Sequence, residues 1–280
     1  MNVPTPQKTS LFSLRSTLGR VTGYSLLMSV YSVLAVAKQY SRYADYADFP
    51  AGVYASLGAI VSILLVFRTN SAYAKWWEAR TLWGSLINAS RNLALKVRHF
   101  VPAAESDRQL LAHLLSVYAS ALRDHLRRIN GLNRVAGFEH LEAEPDHPPS
   151  VVASRIYGLI ESWRQQKLIS DQLTRSLDVE ARVLMEVCGG CERILNTRLA
   201  FSYRVFVNYC VILYVLTLPW GLVQDFHGWT IPMVFVVSFL LVGLEIVAYS
   251  VESPFGHEAD DLDLDGLCAT LERSVTDILR

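Results

Sequence analysis

Residues 205–224, VFVNYCVILYVLTLPWGLVQ, and residues 226–244, FHGWTIPMVFVVSFLLVGL, contain no Asp, Glu, Lys or Arg. Neither keeps the polar face that a helix on the surface of a soluble protein shows. Each approaches the roughly 20 apolar residues a helix needs to cross the hydrocarbon core of a bilayer. Two earlier stretches read the same way: residues 22–37, TGYSLLMSVYSVLAVA, and residues 49–67, FPAGVYASLGAIVSILLVF. We place spans at about 22–38, 50–67, 205–224 and 230–249, with a helical cytosolic region at 68–204 and a C-terminal tail at 250–280. The expected class is all-α, one domain over residues 1–280.

The rest of the composition agrees. Apolar residues make up 51% of the chain and charged residues 19%, against about 25% charged in ordinary soluble proteins. With 26 basic and 26 acidic side chains the formal net charge is zero, which argues against a basic nucleic-acid binder. Four cysteines in 280 residues do not build a disulfide framework. The first 21 residues are polar and carry Lys8, Arg15 and Arg20, so no cleavable signal is expected. Basic residues gather in that arm and between Arg68 and Arg204, while Lys38 and Arg42 are offset by Asp45 and Asp48. By the positive-inside rule both termini and the polar middle face the cytosol. The expected location is a cell membrane, multi-pass, and the bacterial inner membrane if the source is prokaryotic.

The polar middle reads as helices. No proline interrupts residues 68–101, so the second span should continue as one long helix. Helical spacing of Leu110, Leu111, Leu114, Leu115, Val117 and Leu122 predicts a helix over 104–130. Residues 131–150 read as a loop, followed by helices at about 150–166 and 170–199, the latter interrupted at Gly189-Gly190.

Several groups could carry chemistry. Cys188-Gly-Gly-Cys191 lacks the strand-to-helix turn of a redox pair and the second ligand pair of a zinc site. The plainer reading is helix residues with a glycine joint. Glu139, His140, Glu142, Glu144, Asp146 and His147 could hold a divalent cation, but loop acids are usually just solvated. His99, His113 and His125 have no clear partners in the sequence. No catalytic order or nucleotide-binding loop is present, so no enzyme activity, cofactor or metal is expected. Ala59, Ile63 and Phe67 are spaced by four and stack on one helix face, with Ser56 and Ser62 beside them. In one chain this is ordinary packing; around a symmetry axis each position becomes an apolar ring that can gate by dewetting. Glu245, deep in the fourth span, should face a partner or water.

The run FRTNSAYAKWWEARTLWGSLINASRNLA from Phe67 resembles the signature of the bestrophin family of ion channels, prokaryotic branch. Its positions are Arg68, Asn70, Trp76, Trp77, Glu78, Ala79, Arg80, Leu82, Trp83, Gly84, Asn88 and Arg91. Two further blocks agree: CERILNTRLAFSY at 191–203, and ESPFGHEADDLDLDGLC at 252–268 with Pro254, Phe255 and Gly256. The resemblance implies a homopentamer with one central pore lined by the second helix. Its neck maps to Ala59, Ile63 and Phe67, and its cytosolic aperture to Ile194. Animal members bind Ca²⁺ after Pro-Phe-Gly; Glu258, Asp260 and Asp261 are a remnant of that clasp, and Ca²⁺ activation is not expected. Implied partners are membrane lipid, further copies of the chain and permeating monovalent ions. The prokaryotic branch implies cation permeation, with chloride close behind. The competing reading is a membrane-anchored regulator or scaffold without a pore.

Overall fold

The structure, a computed structural model, describes residues 7–42, 50–139, 142–143, 145–197 and 201–280, and none of these forms a β-strand. The helices are α1 (Gln7–Gln39), α2 (Ala51–Phe100), α3 (Glu105–Leu126), α4 (Pro148–Gln165), α5 (Asp171–Asn196), α6 (Phe201–Phe226), α7 (Thr230–Val251) and α8 (Leu264–Leu279), with short 3-10 turns at Leu132–Arg134 and His227–Trp229. Contacts divide the chain into two compact units, residues 1–76 with 198–261 and residues 77–197 with 262–280. The sequence reading treats this as one domain; the division falls inside α2, where the chain itself is continuous.

Among the described residues, the first unit holds the long apolar runs, Leu18–Gln39, the N-terminal part of α2, and Ser202–Val251. The last is 50 residues long, about 75 Å as a straight helix. The turn at His227–Trp229 splits it into α6 and α7, of 26 and 22 residues, each of crossing length. This unit carries large apolar side chains on its outside as well as in its core. α1 buries Val21, Ser25, Met28, Ser32 and Ala35 and exposes Leu26, Leu27, Val30 and Leu34. Ser25 donates to the Val21 carbonyl at 2.8 Å and Ser32 to that of Ser29 at 2.6 Å, so small polar side chains satisfy themselves on their own helix. That lets α1 lie closely along α7, which buries Thr230, Val234, Ser238, Leu241 and Ala248. Small residues inside and large apolar ones outside is the arrangement helices adopt in lipid.

α2 joins the same unit through its buried side. Val61 and Leu65 share a core with Met28, Val207, Val211, Val215, Leu218, Val234 and Leu241. Gly221 of α6 sits against the Tyr54 ring, which leaves no space for a β-carbon there.

The second unit packs its helices around a buried apolar core. Trp83, Leu86, Leu93 and Val97 of α2, Leu111, Leu115 and Leu122 of α3, Ile156 and Trp163 of α4, and Leu177 and Leu184 of α5 are all buried. Two of its helix starts are capped as expected from the residue types. Ser170 accepts from the Leu173 N–H at 3.2 Å, and α4 opens with Pro148-Pro149 behind His147. Two expectations change. α5 runs unbroken through Gly189-Gly190, so the pair is not a joint. Gly190 faces Leu82: a β-carbon there would lie 2.9 Å from Leu82 Cδ1, so the leucine end would have to shift. And the C-terminal tail ends in a helix, α8, whose Leu264, Cys268, Leu271, Val275 and Leu279 are buried. Asp263 caps it, accepting from Gly266 N–H at 2.9 Å.

Candidate functional site

The helical rotation of α2 sorts its residues. Val61, Leu65, Arg68 and Ala72 are buried, spaced four, three and four apart. Residues two further on from Val61 and Leu65 point about 200° away at 100° per residue. Those are Ile63 and Phe67, 56% and 62% exposed, with Ala59 one turn earlier also exposed. Asn70 and Ala74 continue the exposed line. The three expected neck residues thus share one outward stripe of α2, opposite the face that packs into the unit. Ser56 and Ser62 are exposed beside it, and the Ser56 hydroxyl is spent on the Gly52 carbonyl at 2.9 Å.

Directly behind Phe67 lies Arg68, 1% exposed. Its Nη1 donates to Asn208 Oδ1 of α6 at 2.7 Å and pairs with Glu245 of α7. The acid that stood out in the fourth span has its partner, and one guanidinium ties α2 to both neighbouring helices. Arg68 Nε and Nη2 and Glu245 Oε2 are buried without a hydrogen-bond partner among the described residues, so the pair is tight and incompletely satisfied. Asn208 went unremarked in the sequence; a lone Asn in an apolar stretch was the available signal.

Most family-motif residues are buried or make contacts within their own unit. In the first unit, Trp76 Nε1 donates to the Asp260 carbonyl at 3.0 Å, and Pro254 and Phe255 are buried. Asp261 Oδ2 accepts from the Glu258 N–H at 2.6 Å and crowds Gly256, where a β-carbon would approach within 2.5 Å. The clasp remnant therefore folds on itself as a turn, with Asp261 bound to backbone. In the second unit, Trp83 is fully buried, Glu78 pairs with Arg193, and Arg91 Nη2 donates to Ser274 Oγ at 2.9 Å. Asn70, Trp77, Arg80 and Asn88 are exposed and Gly84 half-buried.

The position expected at the aperture, Ile194, lies on the inner side of α5. Ile194 is 7% exposed, on the α5 face that carries Leu184, Val187, Cys188 and Cys191 into the core. Arg193, Asn196 and Thr197 are the exposed positions there. Residues 198–200 of the same block lie outside the described residues. Among the described residues, the loop acids do not gather into one cluster. Glu139 accepts from Gly137 N–H at 2.8 Å, Glu142 and Asp146 are exposed, and His140 and Glu144 lie outside the described residues. His147 instead meets His125 and Glu192, a grouping the sequence spacing could not show. His113 contacts the Ala136 carbonyl at 2.9 Å. Cys188 and Cys191 are buried free thiols; burial pushes each up to about 12, which leaves them protonated at neutral pH in the metal-free chain.

The long apolar helices, the exposed stripe and the three motif blocks meet in one comparison. Residues 5–277 match the family model described as Bacterial/Fungal Bestrophin protein. The chain belongs to the bestrophin family. Its bestrophin relatives include the voltage-dependent anion channel-forming protein sll1024 of Synechocystis, 33% identical over 79% of this chain and 75% of that protein. YneE of Escherichia coli K12, also named a voltage-dependent anion channel-forming protein, is 32% identical over 92% and 86%. Among solved structures, a bacterial bestrophin homologue from Klebsiella pneumoniae superposes with TM-score 0.86 at 26% identity, covering 93% of this chain and all of that one. Family and apolar helices together make this bestrophin a membrane protein.

Proposed function

We propose that the chain is the protomer of a homopentameric channel through which small monovalent ions flow passively. α1, the N-terminal part of α2, α6 and α7 cross the membrane, four spans in all, with both termini and the second unit cytosolic. The observation that carries this reading is the apolar stripe of Ala59, Ile63 and Phe67, exposed on the side of α2 that its own unit leaves uncovered. Five such stripes about an axis form three stacked apolar rings, a neck that wets and dewets rather than one that binds ions. The Arg68–Glu245–Asn208 cluster sets the rotation of α2 and so the aim of the stripe. Ala59 at the first ring makes that end of the neck wider than the Ile63 and Phe67 rings. Copies of the chain and lipid cover the remaining apolar faces.

The rings carry no charge, so the neck wall selects neither sign by attraction. Cation permeation follows from the resemblance to the prokaryotic branch. Anion permeation is the second reading, favoured by one observation: the relatives above carry the name of anion channel-forming proteins. A reversal potential measured across a planar bilayer under a salt gradient decides between them. A shift toward the cation equilibrium potential supports the first and a shift toward the anion potential the second. No current from purified, pentameric protein sinks the channel and leaves the scaffold reading.

A further inference from the structure

Three separate elements of the second unit aim nitrogen and oxygen at one point. His125 stands in the last turn of α3, His147 caps α4, and Glu192 lies on α5. His125 Nε2 is 2.7 Å from Glu192 Oε1, and His147 Nε2 is 3.0 Å from the same oxygen. The two rings face each other at 4.8 Å between centroids, tilted by 50°. All three ligand atoms fall within 4.8 Å of one another, and each residue is half-buried. One helical turn before Glu192, Cys188 places Sγ 3.8 Å from His147 Nε2. Among the described residues no other group of three His, Cys, Asp or Glu ligand atoms gathers this closely.

We propose that His125, His147 and Glu192 form a binding site for a divalent transition metal of the zinc class, with Cys188 in reach of the fourth position. Two imidazoles and a carboxylate are the donor set of tetrahedral zinc, and a nearby thiol adds the softness that zinc accepts and calcium and magnesium refuse. Ligand bonds of about 2.0–2.1 Å set tetrahedral N and O donors roughly 3.3 Å apart. The observed 2.7 and 3.0 Å separations need only a small opening to admit the ion. The proton bookkeeping is simple. Each Nε2 that now donates to Glu192 turns its lone pair to the metal, and the neutral ring carries its proton on Nδ1. For His147 this exchanges the cap bond that Nδ1 accepts from Ser150 N–H, a long one at 3.2 Å. If Cys188 ligates, its thiol proton goes to solvent, since a coordinating thiol is deprotonated. A bound ion would add a cross-link between α3, α4 and α5, where without it the three side chains share hydrogen bonds at one carboxylate oxygen. The site is outside the neck stripe, and the inference does not depend on the channel reading.

The test uses the full chain, purified in detergent and stripped with a chelator. Calorimetric titration with zinc is expected to give one ion per chain and a raised thermal midpoint. His125→Asn/Glu192→Gln should weaken binding at least tenfold, while His113→Asn, outside the cluster, leaves it unchanged. Equal zinc binding by the wild type and the double variant, or none by the wild type, overturns the site. Cobalt titration of the wild type keeps the test independent of how the variants fold. Intense tetrahedral d–d absorption supports the site, and the weak spectrum of six-coordinate cobalt overturns it. A thiolate-to-cobalt charge-transfer band that Cys188→Ser abolishes assigns the fourth ligand. Tetrahedral bands without that band remove Cys188 from the site.

Discussion

The Arg68 guanidinium carries its charge inside an apolar unit, and Glu245 of α7 and Asn208 of α6 are what receive it. Removing one member of such a pair leaves the other charge uncompensated, which typically costs about 3–5 kcal/mol, whereas replacing both with apolar residues can be nearly neutral. Arg68→Met should therefore lower the thermal midpoint in detergent sharply, and adding Glu245→Leu should restore most of it. A single variant as stable as the wild type would remove the pair from the structural account. A second residue-scale expectation concerns pH. Burial holds the thiols of Cys188, Cys191 and Cys268 at about 12 against an ordinary value of 9.0. The folded state thus keeps protons that the unfolded chain gives up, so this contribution is complete below pH 9 and shrinks as pH rises from 9 toward 12. The Tyr118 hydroxyl, raised above its ordinary value of 10.0 chiefly by burial and donating to the Leu184 carbonyl at 2.6 Å, acts in the same direction. Unfolding midpoints should fall between pH 9 and 10.5, with a shallower slope when the three cysteines are replaced by alanine. Iodoacetamide at pH 8 should leave all three unmodified until the chain unfolds.

At the scale of the element, α5 separates two adjacent glycines that look alike in sequence. Gly189 is exposed with open space around it, and Gly190 is buried against Leu82. Gly189→Ala should stabilise the helix by about 1 kcal/mol through propensity alone. Gly190→Val should destabilise by about 1–3 kcal/mol through overpacking, read as opposite shifts of the denaturation midpoint. Equal shifts would mean that the Leu82 contact does not set the close approach. α2 makes the complementary point. Its continuity from Ala51 to Phe100 was legible, because a proline-free run of helix formers propagates by local hydrogen bonds. α8 was not, because sixteen amphipathic residues behind a Pro-Phe-Gly turn look like any charged tail until Leu264, Leu271 and Val275 have something to bury against.

For the whole molecule, the prediction belongs to the assembly. Ile63→Ala and Phe67→Ala should each change conductance or gating in planar bilayers, and the double variant should lower the dewetting barrier further. The same substitutions should leave the unfolding free energy within about 0.5 kcal/mol of wild type, the scale for side chains with no partner in the fold, if the stripe lines water rather than a packed subunit seam. Light scattering in detergent should give the mass of five chains. A monomer, or currents unchanged by both substitutions, would remove the neck.

The sequence by itself determined that the chain is helical and apolar in separated lengths, that α2 is long, and that Ala59, Ile63 and Phe67 share one face. Each of these is periodicity within a single helix, where neighbours in sequence are neighbours in space. Only the tertiary structure decided which partners the polar residues find. Arg68 reaches Glu245 across 177 residues of chain, and His125 and His147 meet at Glu192 from three elements. Those outcomes depend on how helices pack side by side, and spacing along one strand of sequence holds no record of which faces will touch.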